Sequence, residues 1–261
     1  MLIDSNAYIG HWPFRQYTYN TPEALLERMK EFGTDRSVIS NLNGVFYKNT
    51  QHANEELMDA INSKRAYRDR FIPFGVINPV YGGWRDDFKV CTTTMRMKGI
   101  RIYPKYHRYD VLDPGCVELV KMCRDAGIPV VLSLRMVDWR PSSWLDLKDE
   151  WSLKDVVPIV RAVPDARFLI VNVANSTALN DEDLSLFRKA DLLMDTSGRS
   201  MVDWIDLFQR FGPEKFCFGT HSPLLDYFTG LLRIESLRAN EADEKTKDLL
   251  RFENLSRMLA I

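Results

Sequence analysis

The chain has 261 residues, of which 45% are hydrophobic and 27% charged, and its formal net charge is -1. That is globular composition, and a chain of this length buries about three quarters of its unfolded surface without a covalent or metal staple. The near-neutral balance argues against a general nucleic-acid or anionic-membrane binder, although it leaves room for a local basic pocket.

Eight short apolar runs read as strands, at 1–3, 37–41, 71–77, 99–103, 129–134, 167–173, 192–195 and 215–219. Runs such as Val130-Val131-Leu132 suit strands buried on both faces. Helix signals fill the gaps. Thr21-Pro22-Glu23 supplies an N-cap, a first-turn proline and an early acid, and Gly33 ends that helix. Asp113-Pro114 opens another, closed by Gly127. A third runs from near Ser152, where Pro158 kinks it or marks its true start. The last spans 243–259, with Leu249, Leu250, Phe252, Leu255 and Leu259 at helical spacing. Cys91, Cys116, Cys123 and Cys217 form no C-x-x-C pair and read as reduced core thiols. The opening Met1-Leu2-Ile3-Asp4 has no basic region and no long apolar run. No signal peptide or membrane span is expected, and a cytoplasmic location is.

Alternating strands and helices imply a parallel sheet with right-handed crossovers. No G-x-G-x-x-G follows the first strand, so a dinucleotide fold lacks support. Eight repeats in this length predict a single (β/α)8 TIM barrel over residues 1–261. Its chemistry is expected at the C-terminal ends of the strands, where Asn, Arg and His are enriched over Lys and Glu.

These strand ends resemble the amidohydrolase-related superfamily, of the amidohydrolase 2 type. Asp4 to Gly10 is similar to the opening I-D-x-H-x-H-x-G. Lys98-Gly99-Ile100-Arg101-Ile102-Tyr103-Pro104 resembles G-[FIV]-[KR]-[LI]-x-P, and Gly127-Ile128-Pro129-Val130-Val131 resembles the stretch before a ligand histidine. Phe218-Gly219-Thr220-His221-Ser222-Pro223 resembles F-G-S-D-x-P, and residues 253–259 resemble the closing helix. The resemblance places the two opening metal histidines at Asn6 and Tyr8, the strand-five histidine at Ser133, the strand-six histidine at Asn172 and the strand-eight aspartate at His221. Every expected ligand is changed, so the family's metal mechanism does not transfer and no metal is predicted. The stretches 10–15 and 106–109 look like a divergent branch of that superfamily.

The replacements form a polar set rather than a bare mouth. His221 is the candidate acid/base, because an unperturbed imidazole titrates near pH 6.5; the competing reading is a neutral histidine bonded to Asn6 or Asp195. Asp195 orients His221 or balances an arginine. Asn6, Tyr8, His11, Arg15, Arg101, Tyr103, His107, Arg135 and Asn172 are the candidate substrate contacts, with Trp12, Phe14 and Trp139 as further lining. Arg135 pairs with Asp4, Asp138 or Asp195, or forks a ligand carboxylate or phosphate, and Arg101 points inward or outward depending on register. A lesser alternative is zinc or another divalent metal held by His11, His107 and His221. His52 and Lys105 read as solvated.

Two functions compete. The first is a hydrolase acting on a small carboxylate- or lactone-type substrate without the usual metal, with a decarboxylase or lyase as its near alternative. The second is a catalytically inactive barrel that binds a carboxylated metabolite as sensor or partner. The expected partner is a small anionic ligand, with a homo-oligomer through the outer helices.

Overall fold

The computed structural model describes residues 1–138, 140 and 143–261. The predicted runs become β1 (Ile3–Ile9), β2 (Arg36–Asn41), β3 in two pieces (Phe71–Pro73 and Gly75–Val76), β4 (Ile100–Ile102), β5 (Val130–Ser133), β6 (Arg167–Val171), β7 (Asp191–Asp195) and β8 (Phe216–Cys217). Successive strands pair in parallel. β3 changes partner at its break: Phe74 N–H donates to Ile39 C=O, and Gly75 N–H to Gly99 C=O. The ring closes between its ends. Ser5 N–H donates to Phe218 C=O at 2.9 Å, His221 N–H to Asn6 C=O at 2.6 Å and Tyr8 N–H to Ser222 C=O at 2.8 Å. The architecture is an α/β TIM barrel.

β1 corrects the sequence reading. It does not stop at Ile3 but runs to Ile9, and all seven of its residues are buried. Asp4, Ser5 and Asn6 looked like the start of a loop because they are polar, yet backbone pairing with β2 and with the segment after β8 keeps them extended. A register irregularity between Asp4 and Ala7 shifts the facing of the strand, as a bulge does. Ile3 faces the barrel interior, and so does Tyr8, five residues on.

The helices begin where their caps predict. Thr21 accepts from Ala24 N–H ahead of the helix Pro22–Glu31, and Asp113 accepts from Gly115 N–H ahead of Pro114–Asp125. Gly33 and Gly127 follow with φ of 68° each. Pro158 marks a start: Ser152 and Asp155 form a capping box over a short 3-10 turn, and the helix proper is Val157–Ala162. The last segment is helical from Glu244 to Leu259 but carries a π turn at Leu249–Glu253. There the Leu250 carbonyl accepts Phe218 N–H at 2.7 Å, so the irregular turn anchors the end of β8.

Strand alternation sorts the core into two layers. Ile39, Ile100, Ile102, Leu132, Ile170 and Met194 face the helices. Ile3, Val38, Ile72, Val131, Leu169 and Leu193 fill the lower barrel interior, and Leu255, Met258 and Leu259 plug it from below. The four cysteines are free and buried. No described helix is long and apolar enough to cross a membrane.

Candidate functional site

Above the apolar plug the inward positions turn polar. Ile100 and Ile102 face the helices, so Arg101 between them points inward. Its side chain is fully buried. Nε donates to Ser40 Oγ at 2.8 Å, and Nη1 donates to Asn6 Oδ1 at 2.9 Å and to Tyr8 OH at 2.8 Å. The guanidinium also lies 4.5 Å from the centre of the Tyr8 ring. Nη2 has no hydrogen-bond partner, and among the described residues no carboxylate forms an ion pair with this arginine. Tyr103 faces the same way two residues on, and its buried hydroxyl also lacks a partner. Burial holds the Tyr103 phenol protonated, well above its ordinary range.

Asn6 is the hub of this layer. Its Oδ1 accepts a hydrogen bond from Arg101, while its amide NH2 donates to Asp195 Oδ2 at 2.8 Å and to His221 Nδ1 at 2.9 Å. The tautomer of His221 follows from its partners: Nδ1 accepts, so Nε2 carries the hydrogen and donates to the Met136 carbonyl at 2.7 Å. Burial pushes the imidazole down to about 3, against the opposing effect of the Met136 bond. Asp195 touches neither His221 nor an arginine through a hydrogen bond. It accepts instead from Asn6, from Ser197 and from Asn172 N–H. Burial raises its carboxyl. Asp4, below it, accepts from Ser37, Thr220 and Asn6 N–H, and burial raises it to about 6.

Asn172 and His221 both adopt left-handed backbone, at φ of 55° and 57°. Non-glycine residues rarely do so, and such strain gathers where a site needs a particular side-chain direction. Asn172 Nδ2 donates to the Arg135 carbonyl at 2.9 Å, and its Oδ1 is left without a partner.

The candidates do not form one open pocket. Trp12, Tyr103, Met136, Val137 and Leu224 pack together as a roof over Tyr8 and Arg101. Trp12 Nε1 donates to Asp146 at 2.8 Å and Tyr106 OH to the same carboxylate at 3.2 Å, tying the loop after β5 to the loops after β1 and β4. His11 and Arg15 are exposed and line a separate surface cavity with Phe14. His11 Nδ1 meets Asn20 at 3.2 Å. His107 bonds the Gly44 carbonyl at 3.2 Å, and burial pushes it down to about 4. His11, His107 and His221 thus have separate partners, and among the described residues no three His, Cys, Asp or Glu side chains form a metal-sized group. Arg135 pairs with none of the predicted aspartates. Its partner is Glu150 at 3.3 Å, which it shares with Arg199. Trp139 lies outside the described residues. His52 and Lys105 are exposed, as predicted.

Sequence reasoning missed Ser40 and Ser197, which complete the Arg101 and Asp195 networks. It also missed Glu150, Arg199 and Arg233. Ser197 was readable as part of the D-x-S end of β7, and Ser40 lies within the predicted strand 37–41; Glu150, Arg199 and Arg233 lie in loops and a helix with no periodic signal.

No protein-family model and no curated protein matches the chain. Solved structures do. A "putative amidohydrolase" from Staphylococcus aureus superposes with a TM-score of 0.74 at 14% identity, covering 100% of this chain and 99% of its own. The 2,6-dihydroxybenzoate decarboxylase from Rhizobium gives 0.73 at 12% identity, covering 99% and 98%. The 5-carboxyvanillate decarboxylase from Sphingomonas paucimobilis gives 0.72 at 13% identity, covering 100% and 99%. Identity this low speaks for architecture alone, and the architecture the chain shares with these structures is the TIM barrel.

Proposed function

We propose that the protein takes a small aromatic carboxylate at the mouth of its barrel and acts on it as a decarboxylase or related lyase. The observation that carries this reading is Arg101, a fully buried guanidinium with one free nitrogen and no acidic partner among the described residues. A buried charge without a counter-charge is costly, and an anionic ligand offsets that cost. Tyr8, Trp12, Tyr103 and Tyr106 supply aromatic surface around it. The benzoate decarboxylases that share the fold act on carboxylates of this class.

Hydrolysis is the weaker reading. It needs a base to activate water, and both nitrogens of His221 are committed, with its acidity set near 3. A divalent ion also fits poorly. The Asn6 oxygen and Tyr8 hydroxyl that a metal would use already accept hydrogen bonds from Arg101. Arg101 stands as the fixed cation of this site.

A second reading has its own support. A guanidinium that only grips the carboxylate stabilises bound substrate more than the departing neutral CO2, which works against turnover. Together with the closed roof, this favours a barrel that binds without reacting. One panel separates the readings: hydroxybenzoates and simple carboxylates, assayed by thermal shift and by CO2 release. Saturable binding that disappears in Arg101→Met is expected. Release of CO2 selects the decarboxylase, and binding without release selects the sensor. Absence of binding by every carboxylate at millimolar concentration overturns both.

A further inference from the structure

A second cavity, of about 180 Å³, opens between the ends of β7 and β8 and the helix Tyr227–Glu235. Arg135, Arg140, Arg199 and Arg233 line it, over a floor that includes Ser197 and Thr220. We propose that this cavity binds a phosphate dianion, free or as the terminal group of a phosphomonoester. The inference concerns residues other than Arg101 and does not depend on the decarboxylase reading.

The engagement of the charges supports it. Four guanidinium groups meet four nearby carboxylates, Asp138, Glu150, Asp226 and the buried Asp195, and those carboxylates are already engaged. Asp138 is held by Arg140. Glu150 is divided between Arg135 at 3.3 Å and Arg199 at 2.7 Å. Asp226 caps its own helix by accepting Phe228 N–H at 2.9 Å, so the helix terminus is used and the arginines carry the positive field. Arg233 makes no direct ion pair among the described residues, although Asp195 attracts it; its Nη1 donates to the Thr196 carbonyl. Arg135 is 7% exposed, and its Nε has no partner at all. Burial lowers the pKa of Arg135, Glu150 opposes that, and repulsion from Arg199 adds to it. Cations packed against one another in this way are relieved by an anion.

The geometry favours phosphate over carboxylate. The guanidinium groups come from three directions: Arg135 and Arg140 from the loop after β5, Arg199 from the loop after β7, and Arg233 from the helix after β8. A tetrahedral phosphoryl group offers three terminal oxygens to such a ring, while a planar carboxylate offers two, and the planar fork of arginine suits both kinds of oxygen pair. The Ser197 and Thr220 hydroxyls donate their hydrogen bonds to Asp195 and Asp4, so the donors left for a ligand are the arginines. Barrels commonly hold phosphate in the loops after their seventh and eighth strands.

Calorimetric titration of the whole protein with inorganic phosphate and with phenyl phosphate, against chloride at matched ionic strength, tests the proposal. Saturable phosphate binding is expected, absent with chloride, and about ten-fold or more weaker in Arg199→Gln and in Arg140→Gln. Arg65→Gln, an exposed arginine outside the cavity, is expected to bind as the parent does. Should Arg199→Gln fold poorly, the exposed Arg140 decides the matter. Tighter binding of phenyl phosphate identifies a phosphomonoester, and binding of the inorganic ion alone identifies free phosphate. Absence of saturable binding by both, or equal binding in all variants, overturns the proposal.

Discussion

His221 donates its Nε2 hydrogen to the carbonyl of Met136 at 2.7 Å, 85 residues away in the chain, while its Nδ1 accepts from Asn6. The bond joins the end of the last strand to the loop after β5 and fixes the imidazole as neutral. It also sets a pH dependence. The folded His221 titrates near 3 instead of 6.5, so its contribution to stability is complete above pH 6.5 and is lost as pH falls toward 3. Asp4 has the opposite sign: raised from 3.8 to about 6, it contributes below pH 3.8 and loses that contribution as pH rises through 6. The histidine displacement is the larger, roughly 5 kcal/mol against roughly 3. His107, lowered to about 4, acts in the same direction as His221. Unfolding free energy from urea titrations is therefore expected to rise between pH 4 and 6.5, and His221→Gln to lose most of that slope. A slope that is unchanged in the variant contradicts the assignment of a neutral, locked imidazole.

Arg101→Met keeps much of the side chain's length and removes the charge. Replacing a buried ion by an apolar side chain of similar volume is often close to neutral for stability. Here Asn6 Oδ1 and Ser40 Oγ lose a donor, worth about 1–2 kcal/mol. The expected result is a folded protein within about 2 kcal/mol of the parent that no longer binds carboxylates. Arg101→Lys keeps the charge, but its single ammonium cannot reach Ser40, Asn6 and Tyr8 together, so weakened binding is expected there too. Equal affinity in the Met variant would remove Arg101 from the site.

The strands were largely legible, but the facing of Arg101 was open in the sequence. Ile100-Arg101-Ile102 has a charge between two apolar neighbours, and it is the packing of both isoleucines against the helices that turns the charge inward. The helix starts at Thr21 and Asp113 were equally readable because caps are local chemistry. What failed involved partners distant in the chain. β1 looked as if it ended at Ile3 because Asp4 and Asn6 are polar, and only Thr220, Asp195 and Arg101 make them suitable for a buried strand. The pairing of Arg135 with Glu150 and the roof formed by Met136 and Leu224 depend on how loops fold back, which carries no periodic signal. Of the two partners expected for His221, Asn6 is the one it meets, and because the same side chain also meets Asp195 no direct Asp195–His221 contact forms.

The roof is expected to loosen when its peg is shortened. Trp12 Nε1 donates to Asp146, and Trp12→Phe removes that donor while keeping an aromatic ring. Loss of such a bond to a carboxylate costs about 1.5–3 kcal/mol. Hydrogen exchange is expected to quicken at Asp146 and Trp151, whose amides bond the Ser143 and Leu134 carbonyls, and to stay slow in β6 and β7. Uniform quickening across the barrel would mean that Trp12 supports the whole fold rather than the roof.

Gly198 tests how closely the end of β7 is packed against its neighbour. A Cβ there would fall 2.2 Å from the Val173 carbonyl oxygen and 2.3 Å from its nitrogen. Both are backbone atoms, so no side chain can swing away. The loop would have to shift, and Ser200 N–H, which donates to that same carbonyl at 3.0 Å, would shift with it. Gly198→Ala is expected to cost roughly 3 kcal/mol, at the upper end for overpacking. Ser197 and Arg199 flank this glycine, so the change also disturbs Asp195 and the arginine-lined cavity. Phosphate affinity is expected to fall with stability in this variant. In Gly82→Ala, where nothing lies within 4 Å of the new methyl group, neither is expected to change. Denaturant titrations and phosphate calorimetry on the two proteins check both expectations, and a Gly198→Ala protein as stable as the parent would show that the loop after β7 has room that the close contact with Val173 denies.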